Sequence, residues 1–403
     1  MRRARGRLHG AVIPLLILLV FGGLSTWKIA QDDSRTDTLA SVPAGPAQPV
    51  GGAALAASAA GLDPMGQARQ AQRRALTEQL AAAQHRLDSY REATRYPPES
   101  QAISRHGDQL KPFEPVVENR PALNAQGEPV AGRHLQSSQD RVHVSGQDSV
   151  VFTLRVQDDQ GYTAPLRVIR ATAHEVQDVA HPQTVTQTAL LFDDRGANGD
   201  ARASDGVHSA RLQPAAQGFA TTQGTIRVDV DYQSDTGGVA HTFFDIVYMP
   251  NVPATWSGAV RESMNQGSLD FYLKAQVREA GRYVITARAY DATGKAFALL
   301  SFNDEVPAGA TEFKLTLFGK LVRDAKPVFP ITLRDIEGFV LYPDRFPDRA
   351  MMPRWPRVAY TSANHAITEF ADAEWDSEVR QRYLAEYAKD VDQARRSLQP
   401  LTP

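Results

Sequence analysis

Val150-Val-Phe-Thr-Leu-Arg-Val156 alternates apolar and polar side chains at every second position, and that period decides the fold. Val150, Phe152, Leu154 and Val156 lie on one side, Val151, Thr153 and Arg155 on the other, as in a strand with one buried face. Outward from it, the turn Asp158–Gly161 precedes further runs at 166–172, 184–192, 225–231 and 241–249, separated by Gly, Asp and Asn. Pro250 and Pro253 mark a boundary, and a second set follows at 269–277, 282–290, 296–302, 312–317 and 329–336. In that set Tyr283, Ile285, Ala287 and Ala289 share one face, and Val284, Thr286, Arg288 and Tyr290 the other. Asp291-Ala-Thr-Gly294 reads as a hairpin turn with Gly at the left-handed position. Many short alternating strands at this spacing predict two linked antiparallel β-sandwiches.

Both flanks of this β region read as helices. From Gln67 to Thr94 the chain is rich in Ala, Gln, Arg and Leu, with Leu76, Leu80, Ala83, Leu87 and Tyr90 at 4-3-4-3 spacing. That seam fits either a homodimer stalk or a helix packed along its own β domain. Pro97–Pro98 stop it. At the other end Trp375, Val379, Tyr383, Tyr387 and Val391 recur every fourth residue, one face of a helix over 376–395 capped by Asp376 or Ser377. The stripe suits packing on the protein's own sheet or docking of a partner.

Ahead of the first helix, Ala11–Trp27 is an uncharged apolar run of 17 preceded by Arg2, Arg3, Arg5 and Arg7. It reaches the lower limit for a bilayer span, and its flanks predict the bulk of the chain on the periplasmic side. A cleaved signal peptide is the competing reading, but Lys28 stands where cleavage needs a small residue, which favours an uncleaved signal-anchor. Ala, Gly, Ser and Pro dominate the tether that follows, residues 31–64. The predicted order is tail and signal-anchor 1–30, linker 31–64, helical stalk 65–95, first sandwich 96–252, second sandwich 253–365, and C-terminal helix and tail 366–403. The fold class is mainly β, and the location a single pass through the inner membrane.

Composition removes whole classes of chemistry. The 403 residues contain no cysteine, which excludes disulfides, thiolate zinc sites and thiol nucleophiles. A net charge of −2 argues against a basic nucleic-acid footprint. H-E-x-x-H, G-x-S-x-G and the P-loop are absent, and the S-x-x-K match at Ser25–Lys28 lies at the end of the apolar run. His174, His181, His208 and His241 fall in the first sandwich and read as exposed loop histidines rather than a convergent group. Asp229 and Asp231 share one face of a strand and at most add a ligand to the acidic loop described next. No catalytic residue is assigned, and the chain is read as non-enzymatic.

The stretch Leu191-Phe-Asp-Asp-Arg-Gly-Ala-Asn-Gly-Asp-Ala-Arg-Ala-Ser-Asp-Gly-Val-His-Ser209 is where a cation would bind. Asp193, Asp194, Asn198, Asp200 and Asp205 crowd a glycine-broken loop, and Ca2+ takes 6–8 oxygens of this kind. With Asp194 as position 1, Asn198, Gly199, Asp200 and Asp205 fall at 5, 6, 7 and 12 of an EF-hand-like count. Gly196 at position 3 supplies no side-chain ligand, and Asp205 replaces the longer bidentate Glu. Asp, Asn and Gly also favour tight turns for conformational reasons alone, so a plain β-connection stands beside the calcium reading.

The pattern D-D-x-G-x-x-G-D-x-x-x-x-D-G-V resembles a loop of bacterial exported "choice-of-anchor X" domain proteins, whose modules are immunoglobulin-like. This chain has one extra residue after the aspartate pair, and His208 where Tyr is usual. Arg95–Ser100, Gly281–Ala287 and Trp375–Ser377 are further points of similarity. The resemblance implies immunoglobulin-like sandwiches and a secreted or membrane-tethered adhesion or recognition role, with an envelope protein or glycan as partner and no defined activity. The alternative from another class is an accessory structural subunit of an envelope secretion or assembly complex, using the stalk or the C-terminal helix as its contact.

Overall fold

Alternation along Val150–Asp158 becomes a strand whose inward residues Val150, Phe152, Leu154 and Val156 are fully buried. The computed structural model describes residues 64–176, 186–235 and 238–401, and it is mainly β, built of several antiparallel sheets. The signal-anchor, nearly all of the linker, and His181 lie outside the described residues. Among the described residues no helix is long and apolar enough to cross a membrane.

Two sheets enclose the first core. In one, Val116–Leu123, Pro129–Gln139 and Val150–Asp158 are neighbours, with Thr163–Ala164 and His208–Leu212 on the far side of the last. The other runs His143–Ser145, Val239–Met249, Gly224–Ser234, Leu166–Glu175 and Gln187–Ala189. Among the described residues only the pairing of His143–Ser145 with Val239–Met249 is parallel. Phe152, Leu154, Phe192, Ile226, Val228, Phe244 and Ile246 meet between them, with the Phe152 and Phe244 rings 4.8 Å apart. Burying each such side chain is worth about 1.5–3 kcal/mol.

The second core lies between a six-stranded sheet around Gly281–Tyr290 and a three-stranded sheet of Ala254–Asn265, Ser268–Val277 and Gly309–Leu317. Tyr283, Ile285, Ala287 and Ala289 face it as the alternation predicts, meeting Phe271, Leu273, Phe313 and Leu315. The opposite face departs from expectation, because Val284, Thr286 and Arg288 are buried too. A crossing segment explains this: the Arg288 Nε donates to the Gln109 carbonyl at 2.7 Å, and its Nη2 meets Glu337 Oε1 at 3.0 Å. The Asp291 turn forms as expected, with Gly294 at φ +83° and Asp291 Oδ1 accepting from the Thr293 and Lys295 N–H groups.

One boundary shifts. Residues from 96 were expected in the first sandwich, yet Tyr96 lies in the second core and Ser100–Ala102 pairs with Ala296–Val306. That strand is too short for a period, and it pairs with the edge of Ala296–Val306.

Three α-helices are found among the described residues: α1 (Pro64–Ala93), α2 (Gly319–Ala325) and α3 (Glu378–Leu398). Ser377 caps α3, its Oγ accepting from the Arg380 N–H at 3.1 Å. The α3 stripe packs on α1 rather than on a sheet, correcting the expected surface. Ala83 and Leu87 of α1 form a small core with Val391 and Ala394, and Tyr90 meets Tyr383 and Tyr387 at 5.7 and 5.3 Å. The Arg380 Nε donates to Thr94 Oγ1 at 3.1 Å, so the end of α1 meets the start of α3 and the pair is antiparallel. Of the 4-3-4-3 seam, Leu80, Ala83, Leu87 and Tyr90 are thus met by α3 within the chain.

Candidate functional site

The acidic loop rises from the first sandwich between Gln187–Ala189 and His208–Leu212. Asp193 anchors it by exchanging both backbone hydrogen bonds with Ser209, at 3.1 and 2.9 Å. Glycines let it lie close to the sheet. Gly199 sits at φ +97°, where a Cβ would meet Val151 Cγ1 at 2.7 Å; Gly206, at φ +78°, would meet Thr163 Cγ2 at 2.3 Å. Glycine is the residue that accepts both the positive φ and the contact.

Folding gathers three of the five predicted ligands. Asp194, Asp200 and Asp205 each offer a carboxylate oxygen, and these atoms lie within 4.8 Å of one another. Asp193 is not among them. Asp193 is buried, and the Asn198 Nδ2 donates to its Oδ2 at 3.2 Å. Asn198 adopts a left-handed φ of +52°.

Backbone amides surround the three carboxylates. Asp194 accepts from Asp205 and Gly206 N–H at 3.1 and 2.9 Å. Asp200 accepts from Gly196 and Arg202 N–H at 2.6 and 3.2 Å, and Asp205 from Val207 N–H at 3.0 Å. These donors partly offset a repulsion of about 1 kcal/mol per pair in bulk water, and about four times that at the effective dielectric of a protein surface. An oxygen-only group of this kind suits a hard cation and offers nothing to a thiophilic one.

A second polar cluster corrects the reading of the histidines. His174 and His241 are on strands, not loops, and converge on the outer face of the second sheet of this sandwich. His174 Nε2 lies 2.7 Å from Asp229 Oδ2, and His241 Nε2 lies 3.3 Å from Asp229 Oδ1. His241 Nδ1 also meets Asp231 Oδ1 at 3.1 Å. Asp229 and Asp231 serve this cluster rather than the acidic loop, because their strand belongs to the opposite sheet from the one the loop packs on. His208 stays apart on the strand His208–Leu212.

A groove of about 410 Å³ opens beside the cluster, with Arg170, Thr172, His174, Gln187 and Arg227 among its lining. A two-pronged ion pair at 2.8 and 2.7 Å engages Arg227 with Asp245 and holds the guanidinium above its ordinary value. The signal that could have found this cluster is the register. Three adjacent strands with polar residues at alternate positions form one lattice of charges, which no single strand reveals.

No family model and no curated protein matches the chain. Among solved structures, a DUF4785 family protein from Legionella pneumophila shares 12% identity at a TM-score of 0.38, the likeness covering 57% of each chain. The adhesin InvE of Yersinia pseudotuberculosis shares 10% at 0.17, over 55% of this chain and 58% of that one. Squid arrestin shares 8% at 0.19, over 60% of this chain and 96% of its own. The chain thus spans less than two thirds of the first two proteins' length. Scores this low leave the architecture to rest on the sheets themselves.

Proposed function

We propose that the chain is a non-enzymatic, membrane-anchored envelope protein that displays two immunoglobulin-like sandwiches as recognition or adhesion modules, with calcium bound in the acidic loop. The observation that carries the reading is the gathering of Asp194, Asp200 and Asp205 within 4.8 Å of one another on a loop fixed to the first sandwich. Three carboxylates, completed by carbonyl oxygens and water, make the hard oxygen set calcium takes. Neutralising them would stiffen a loop that otherwise carries its own repulsion, which suits a module held outside the cell membrane. The resemblance of the loop to choice-of-anchor X proteins supports the same role.

Calorimetric titration of calcium into the full chain tests the cation. A single saturable site is expected, abolished in Asp194→Asn/Asp200→Asn; a chain that releases no heat and shows no calcium-dependent change overturns it.

A further inference from the structure

The two sandwiches meet at a joint that is rich in charge. The chain leaves the first at Met249, whose side chain already belongs to the second core, and crosses through 250–253. Beside this crossing the strand His143–Ser145 of the first sandwich lies against Arg349–Met351 of the second, the Met351 N–H donating to Ser145 Oγ at 3.0 Å. Two residues before these partners stand His143 and Arg349. We propose that this joint is a proton-sensitive hinge, closed while the His143 imidazole is neutral and loosened when it takes up a proton.

The charges around the joint are already balanced. Arg349 is held by Asp348 through contacts of 3.0 and 2.8 Å. Arg141 meets Asp148 at 3.1 Å and Asp140 at 3.4 Å. Arg354 crosses from the second sandwich, donating to the Asp140 carbonyl at 3.2 Å and lying over the Phe113 ring at 4.8 Å. Three arginines thus stand with three aspartates, and the nearby Glu337 is engaged by Arg288. On the adjoining strand Val247 faces His143 and carries no charge. A proton on His143 would add a fourth cation to a half-buried joint in which Asp348, the carboxylate that acts on it, is already paired with Arg349.

The direction of the effect follows from these surroundings. Burial pushes the His143 imidazole below its ordinary value of 6.5, and Arg349 pushes it further, with Asp348 opposing both. Burial likewise disfavours the charge on Arg354, with Arg141 adding to it. An imidazole freed by opening therefore binds a proton more readily than one in the closed joint. Acid favours the open form, with the effect beginning as pH falls through about 6.5. Linkage limits the change in the open-to-closed ratio to about tenfold per pH unit.

The native chain has no cysteine, so spin labels can be placed cleanly at Tyr162→Cys on the first sandwich and Val328→Cys on the second, both exposed. One narrow inter-label distance is expected at pH 7.5 and a broadened distribution at pH 5.0. His143→Gln in the same labelled chain should stay narrow at both. Identical distributions at the two pH values in the unsubstituted background, or equal broadening in His143→Gln, would overturn the hinge. Should that variant fail to fold, Arg349→Gln decides instead: it should blunt the acid response, and an unaltered response refutes the assignment.

Discussion

Gly199 shows how much of the acidic loop depends on one backbone angle. At φ +97°, with Val151 Cγ1 standing 2.7 Å from where a Cβ would be, alanine is strained and crowded together. Gly199→Ala is expected to cost about 1–3 kcal/mol, read as a lower denaturant midpoint. Asn198, its neighbour, marks the limit of sequence reading at this scale. Counting positions places its oxygen among the ligands, but does not show that its Nδ2 donates to Asp193 from a left-handed φ of +52°. Asp194, Asp200 and Asp205 were legible as a group because glycine spacing and carboxylate density both survive folding. Asp193 was not separable from them, since burial depends on the Ser209 bridge that no local pattern announces. Arg288 was unreadable for a related reason. Polar on an alternating strand, it belongs outside, and only a segment 179 residues away covers it.

Helix α1 illustrates the element scale. Its seam spacing was plain, yet a heptad pattern says that a helix pairs without saying with which. The partner is α3, whose own stripe was equally plain and equally unassigned. Leu87→Ala should therefore loosen α1 from α3 at a cost of about 2–4 kcal/mol. The expected sign is faster hydrogen exchange across 64–93 with protection of both sandwich cores retained; exchange unchanged in the helix would contradict the pairing. Strands divide in the same way. Val150–Asp158 and Gly281–Tyr290 were legible because one face is apolar throughout. The hairpin of Val116–Leu123 and Pro129–Gln139 was not, because the first six residues of its leading strand are exposed on both faces and carry no alternation. Pro121 is tolerated there because the strand lies at a sheet edge, where a missing donor breaks no ladder.

For the whole molecule, two cores are linked through a short crossing that contains Pro250 and Pro253, while Ser100–Ala102, expected in the first sandwich, pairs with a strand of the second. Prolines interrupt a chain locally, whereas the capture of Ser100–Ala102 by a distant edge is a contact made only in three dimensions. The same architecture gives the proposed cation its reach. It would tie the loop between two strands of the first sandwich, so its effect should appear in the cooperative unfolding of that core. The most direct measurement is thermal unfolding of the chain in EDTA and in millimolar calcium, beside Asp194→Ala/Asp200→Ala. Binding to the folded state alone predicts a gain of about 2.7 kcal/mol at about 100 times Kd, seen as a raised midpoint in the native chain and none in the variant. Superimposable transitions with and without calcium in the native chain would contradict the cation clamp and reduce the loop to a β-connection.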